Sequence, residues 1–258
     1  MMRDDSSLLL NAAPRSTASS RYFQARTIDG APELLEQSYA LRYQVYCLER
    51  KFLNADDYPA HLEFDEFDPH SIHVGAFDAA GVLAGTARVI KMSALGFPVL
   101  SRCSLFPHDA RSTAGMPVEI GRLSVSRNYN RRSGERRDGC GDVFLTLLKG
   151  LYQATKRLGA THWLAATERS LLRMLVQQGF PARLIGPESD YFGLVSPYRM
   201  DLREFDDVIL SNRFPALQDF VIGLEPELRP DYRTPGPGET VAMDRSGFRI
   251  NLGEEVQT

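Results

Sequence analysis

The sequence predicts an α/β fold built on a mixed sheet with helices on both faces. Three observations lead there. Short β-branched and aromatic runs alternate with amphipathic helical stretches between residues 22 and 202. Two of the runs, Ser71–Phe77 and Val82–Lys91, are joined by Asp78-Ala79-Ala80-Gly81, a hairpin signal that an all-parallel sheet lacks. A third run, Thr161–Thr167, is of the apolar kind found in strands buried inside a sheet.

Residues 1–20 are rich in Ser, Ala and Asp without period and are expected to form a mobile tail. Tyr22–Ile28 has strand composition, and Gly30-Ala31-Pro32 then punctuates the chain. Glu33–Arg50 reads as a helix, because Leu34, Leu41, Val45 and Leu48 fall on one stripe. Residues 51–70 hold Pro59 and four carboxylates between 63 and 68, with no stripe, so a loop is expected. The hairpin follows, then an irregular stretch over 98–116 and a strand at Pro117–Ser126. A helix is expected from Asp142, a good N-cap, to Leu158, before Gly159. Val143, Phe144, Leu147, Leu148, Leu151 and Tyr152 form its apolar face. After the buried strand come a helix at Ser170–Gln178 and strands at Ala182–Ile185 and Tyr191–Met200. Residues 203–258 add short helices at Phe205–Leu210 and Leu217–Leu228 and a Pro/Gly-rich tail. The expected organisation is a tail over 1–20, one domain over 21–202 and an extension over 203–258.

Composition narrows the function. Thirty basic and 33 acidic side chains among 258 residues give a net charge of −3, which excludes a uniformly basic nucleic-acid binder. Cys47, Cys103 and Cys140 make neither a disulfide framework nor a zinc spacing and read as reduced thiols. No apolar run reaches the roughly 18 residues of a membrane span, and the leucines at 8–10 are too few for a signal peptide. The expected location is the cytoplasm, with no transmembrane segment.

The clearest local chemistry is Arg136-Arg137-Asp138-Gly139-Cys140-Gly141 ahead of a helix. Glycines let backbone approach a phosphate, and free N–H groups with the helix dipole favour its charge. A glycine turn capping an ordinary helix is the plain alternative. Charged residues are scattered upstream in a definite order. Arg42 and Tyr46 share a helix face; Glu63, Asp65 and Asp68 follow as E-x-D-x-x-D; then come Arg88, Glu119 and Arg122. The acidic run could be a solvated loop, as most such runs are, or, with His61, His70 and His73, a metal site, though metal sites are usually tighter and more regular.

Strand 117–126, the R-x-x-G-x-G loop, its helix and the THWLAAT strand resemble the core of the GNAT acyltransferases. The ordered charges over residues 40–125 are similar to the signature of the acyl-homoserine-lactone (autoinducer) synthase branch. The wording LRYQVYCLERKFL and FDEFDPHSIH looks most like the PEP-CTERM/exosortase system-associated acyltransferases, relatives of the N-acyl amino acid synthases. The resemblance covers about residues 22–202 and implies a mostly antiparallel GNAT sheet, splayed between the strands near 117–126 and 161–167. It implies direct transfer from an acyl thioester to an amine, with no tightly bound cofactor and no metal. The expected base is Glu119, with Glu63 as the alternative and Arg122 beside them. Arg42, Tyr46, Phe52, Asp65, Asp68 and Arg88 would form the acceptor-site charge network. Leu123 and Val125 with Arg131, Arg132, Arg136, Arg137, Gly139 and Gly141 would hold the donor phosphopantetheine. Phe52 stands where autoinducer synthases carry Trp, which turns the expected acceptor from S-adenosylmethionine toward an amino acid or other small amine.

The donor is expected to be acyl-carrier protein or acyl-coenzyme A. Six arginines against Glu135 between residues 122 and 137 would suit an acidic carrier protein as partner. Competing readings are a true autoinducer synthase, a non-catalytic carrier-binding module, a Cys140 nucleophile, and nucleic-acid binding by the arginine loop. Glu119 and Arg122 would point to opposite faces of a flat strand. With Gly121 between them, a bulge or strong splay at Ile120–Arg122 is predicted.

Overall fold

The computed structural model describes residues 23–109, 115–130 and 138–231, with backbone pieces at 242–243 and 249–250. Its main sheet has eight strands: β1 (Gln24–Thr27), β2 (Ser71–Phe77), β3 (Leu83–Ile90), β4 (Pro117–Val125), β5 (His162–Thr167), β6 (Ala182–Leu184), β7 (Ser189–Asp190) and β8 (Leu194–Asp201). The order is β1-β2-β3-β4-β5-β8-β6, with β7 also on β8. Only β4 and β5 run parallel, and they pair over just three residues, Pro117–Glu119 against His162–Leu164. Beyond Glu119 the two strands part. The expected mixed, mostly antiparallel sheet splayed at this junction is the one observed.

Two helices sandwich the first half of the sheet. α1 (Pro32–Tyr43) is pinned by a 2.7 Å hydrogen bond between the Ser38 and Thr86 hydroxyls. α4 (Asp138–Arg157) covers the opposite face. A Cβ on Gly85 would meet Val143 at 2.8 Å, so only glycine lets α4 settle this close to β3. Adjacent residues of a strand face opposite ways. Thr86 and Arg88 therefore point to the α1 side, while Gly85, Ala87 and Val89 point to the apolar core under α4. His73 is the cross-strand partner of Arg88 and shares its face.

Several elements depart from the sequence reading. The helix expected over 33–50 changes at Gln44 into a π-helical stretch, Gln44–Glu49. The wider turn breaks the leucine stripe: Leu41 is buried, while Leu48 is 53% exposed. α4 starts at Asp138, four residues before the expected Asp142, so the glycines of the expected loop fall inside the helix. The strand expected at 191–200 begins only at Leu194, as β8, and Tyr191–Gly193 form the turn that joins it to β7. A short helix, α2 (Pro98–Arg102), sits within the stretch expected to be irregular, and another, α3 (Arg127–Asn130), follows β4. The tail expected over 1–20 lies outside the described residues, as does most of the Pro/Gly-rich tail.

The segment after residue 202 belongs to the packing of the core. α6 (Leu202–Leu210) and α7 (Pro215–Val221) bury Phe205, Ile209, Leu217 and Phe220. The Phe205, Phe220 and Phe180 rings pack on one another and on Tyr152 of α4, with centroids 4.8–5.9 Å apart. Replacing Phe220 by Ala is expected to cost about 3–5 kcal/mol. Denaturant unfolding measures it, and a loss under about 1 kcal/mol would show that α7 is peripheral.

Candidate functional site

The charged residues that the sequence scatters over eighty positions meet on the α1 face of the sheet. Arg42 leaves the last turn of α1 with 1% of its surface exposed. Its Nε donates to Glu63 at 2.5 Å, and its terminal nitrogens donate to both Asp68 oxygens at 2.7 and 3.1 Å. Arg88 of β3 reaches Asp65 at 2.6 and 2.9 Å and Asp68 at 2.9 Å. Arg122 of β4 closes the ring on Glu63, at 3.0 and 3.2 Å, and on Asp65 at 3.0 Å. The acidic segment is thus no solvated loop. Glu63 is fully buried and Asp68 nearly so. Burial alone would raise the Asp68 carboxyl, but hydrogen bonds from His73 and Arg42 and the charges of Arg42 and Arg88 hold it well below the ordinary carboxylate range. Asp65 is lowered on the same balance, with Arg88 and Arg122 outweighing burial.

Arg122 takes part only because β4 is bulged. The β3–β4 ladder pairs Thr86 with Ser124 and Arg88 with Gly121, so a single residue, Ala87, spans Arg122 and Leu123. Arg122 sits at φ +52°, the left-handed region that an L side chain adopts at a cost. The extra residue turns Arg122 toward the same side as Glu119, as the glycine between them suggested. Its guanidinium stacks 5.3 Å from the Tyr46 ring and 5.9 Å from the Phe192 ring.

Glu119 is the exception among the carboxylates. It is 5% exposed, and among the described residues no guanidinium pairs with it; the backbone N–H of Val99 donates to it at 2.9 Å. Burial dominates, and its carboxyl is pushed up to about 7. A cleft of about 440 Å³ opens where β4 and β5 part. Tyr46, Phe52, Arg88, Glu119 and Arg122 line one end of it. Leu123 and Val125 lie along its β4 edge. The other end is apolar, walled by Phe144, Leu148, Trp163 and the leucines of α5 (Arg169–Gln177). Phe52 packs 6.1 Å from Tyr46 and touches Gly193, where a Cβ would come within 2.9 Å of its ring.

The mostly antiparallel sheet, splayed between β4 and β5, matches a known architecture. Residues 41–137 match the family model described as the acetyltransferase (GNAT) domain. The fold is the GNAT fold. Solved structures similar to the chain include the CoA-dependent acyl-homoserine lactone synthase BjaI with SAM and isopentyl-CoA, at TM-score 0.55 and 18% identity over 78% of this chain and 98% of that one. TofI, in a ternary complex with an inhibitor and MTA, aligns at TM-score 0.54 and 20% identity over 80% of this chain and 99% of that one. FeeM, an N-acyl amino acid synthase from uncultured soil microbes, aligns at 0.53 and 14% over 74% and 96%. No curated protein sequence matches the chain.

Within this GNAT fold, every residue expected in the acceptor network and as base is drawn to the cluster or to the cleft wall. Arg131, Arg132, Arg136 and Arg137 lie outside the described residues, while Gly139 and Gly141 fall in the first turn of α4. Tyr191 and Phe192 of the β7–β8 turn line the cleft and were missed, because their sequence reads as strand. Among the described residues no group of three or more His, Cys, Asp or Glu could hold a metal ion, since the carboxylates considered for one are taken by arginines. Among them also, no helix is long and apolar enough to cross a membrane.

Removing Asp68 would strand Arg42 and Arg88 without their shared counter-ion. Asp68→Ala is expected to destabilise the fold by about 3–5 kcal/mol, measured by thermal and chemical unfolding. A depressed carboxyl stabilises above its unfolded value near 3.8 and loses that stability as pH falls toward its folded value. Unfolding free energy should therefore drop on acidification below about pH 4 in the parent, and Asp68→Ala should flatten that drop.

Proposed function

We propose that the protein is an N-acyltransferase that moves a fatty acyl group from an acyl-carrier-protein or acyl-coenzyme A thioester to the amine of a small acceptor, an amino acid. The observation that carries the reading is Glu119: a buried carboxyl at the wall of the splayed cleft, raised to about 7, with one oxygen bonded to a backbone N–H. Such a group takes a proton from an ammonium near neutral pH and gives it up readily. Glu63 is the weaker candidate, because Arg42 and Arg122 occupy both its oxygens. The neutral amine then attacks the thioester carbonyl and forms the C–N bond; the adduct collapses with cleavage of the C–S bond, and the second N–H proton passes to the departing sulfur, which leaves as the thiol.

The rest of the cleft suits this step. Among the described residues β4 has no strand partner on its β5 side beyond Glu119, so backbone N–H groups around Leu123–Val125 are available to a developing oxyanion. The apolar end suits a hydrocarbon chain, and the first turn of α4, with Gly139 and Gly141, suits the pantetheine phosphate. The arginine-rich segment from Arg131 to Arg137 favours a carrier protein over free coenzyme as donor. Phe52 in place of Trp favours an amino acid over S-adenosylmethionine, and the sequence wording favours kinship with the PEP-CTERM/exosortase-associated acyltransferases. A cytoplasmic location accords with both substrates.

Glu119→Gln is expected to lower acyl transfer about 10²–10⁴-fold in a carrier-protein assay with mixed amino acids, while leaving the melting temperature within a few degrees. In the parent, the rate should climb as pH passes about 7, since the base works ionised. Parent-like turnover by the Gln variant would remove Glu119 from the role. Release of methylthioadenosine from S-adenosylmethionine would instead mark an autoinducer synthase.

A further inference from the structure

A second cavity, of about 710 Å³, lies on the far side of the ion cluster and shares no lining residue with the cleft. At its wall stand Asp29, Tyr39, Asp68 and His73. The His73 ring is 4% exposed and bridges two carboxylates: Nε2 lies 2.9 Å from Asp68 and Nδ1 lies 2.7 Å from Asp29. Carboxylates only accept, so each ring nitrogen has to donate and the ring is an imidazolium. Asp29 also accepts the backbone N–H of His73 on both oxygens, at 3.1 Å each, which fixes the pair. Asp29 is 39% exposed and reaches solvent, whereas Asp68 binds Arg42 and Arg88. The side chains thus form one continuous line from solvent to the cleft wall.

Counting charges explains why a cation belongs there. Arg42, Arg88 and Arg122 face Glu63, Asp65 and Asp68, and the Asp29 carboxylate is balanced only when His73 is protonated. The groups facing the ring are Asp29 from the turn after β1, Asp68 from the 68–70 turn, Tyr39 of α1 edge-on at 5.7 Å, and Arg88 across the β2–β3 ladder. Glu66 and Asp65 also line the cavity.

We infer that His73 is a positioning residue: its protonated ring, reached from the second cavity through Asp29, holds Asp68 and thereby sets the Arg42 guanidinium within the ion cluster and the Arg88 guanidinium at the cleft wall. Its effect on turnover rests on the acyltransferase reading; the coupling itself does not. Burial would lower the ring's proton affinity, but the bonds to Asp29 and Asp68 raise it, so its titration lies above the ordinary histidine value. A raised histidine stabilises the fold below its unfolded value, and that contribution is lost as pH rises through the folded one.

The test is side-chain NMR of the full chain labelled with ¹⁵N, alongside acyl transfer across pH. Both His73 ring nitrogens should carry protons at pH 7. As the ring titrates on the alkaline side, the Arg42 and Arg88 Nε–H signals should move with it. Asp29→Asn should shift that titration acidward, and His73→Gln should abolish the coupled arginine shift. Transfer should fall about tenfold through the same titration, the size expected for one hydrogen bond to a charged group. His73→Gln should lack this fall and run about tenfold below the parent at pH 7 through kcat, with donor KM unchanged. A ring that is neutral at pH 7, or arginine signals indifferent to its titration, would overturn the relay. Intact coupling in a protein that transfers no acyl group would uphold the relay and count against the acyltransferase reading.

Discussion

Three arginines and three carboxylates share one dry compartment, and neither set could be buried there without the other. An isolated charge taken out of water costs several kcal/mol, and a pair recovers this only when its hydrogen-bonding capacity is well used. Here Glu63, Asp65 and Asp68 each serve two arginines, and one oxygen of Asp68 (Oδ1) and one of Asp65 (Oδ2) accepts from both of its arginines. The arrangement ties α1, the 63–68 segment, β3 and β4 into one unit. It also fixes the strained conformation at Arg122, since the guanidinium can reach Glu63 only from the bulge.

The same cluster decides the character of Glu119. Arg88 and Arg122 are the cations nearest to it in effect, and both lower its proton affinity. Yet the hydrogen bonds they make go to Asp65, Asp68 and Glu63, and burial prevails at Glu119. A carboxyl in direct contact with a guanidinium would be locked in its ionised form and too weak a base for an ammonium. The cluster absorbs the positive charge that would otherwise disable the base. Position and reactivity of Glu119 are therefore consequences of one electrostatic arrangement.

Much of this was legible in the sequence, because it depends on residue type and order. Arg42, Glu63, Asp65, Asp68, Arg88, Glu119 and Arg122 could be named in order, and Gly121 marked the bulge. The hairpin and the buried strand β5 were equally plain, since period and composition are local signals. What escaped was set by tertiary contact. The π-helical turn at 44–49 has no compositional mark, and it moved Leu48 into solvent. Tyr191 and Phe192 look like strand residues, and only pairing with β8 makes them a turn over the cleft. The partner of Glu119 is a backbone N–H, which every residue but proline possesses and which no sequence pattern singles out. His73 was noticed as a possible metal ligand, because proximity in sequence to carboxylates does not reveal which oxygens the arginines have already taken.

The two cavities give this division a functional logic. The cleft and the acidic cavity have no residue in common, and the ion cluster is the wall between them. A wall of paired charges stays rigid while both signs are present, because loss of one partner leaves a buried charge uncompensated. It is also the one kind of wall that responds to a proton, since a change at His73 alters the hydrogen bonds of Asp68 and hence of Arg42 and Arg88. A hydrophobic partition of the same volume would hold the strands as well and often more cheaply. It would offer no path for that influence and would leave the bulge at Arg122 without a counter-ion. Retaining charge in the wall therefore makes sense as a means of positioning groups at the cleft rather than as a source of stability.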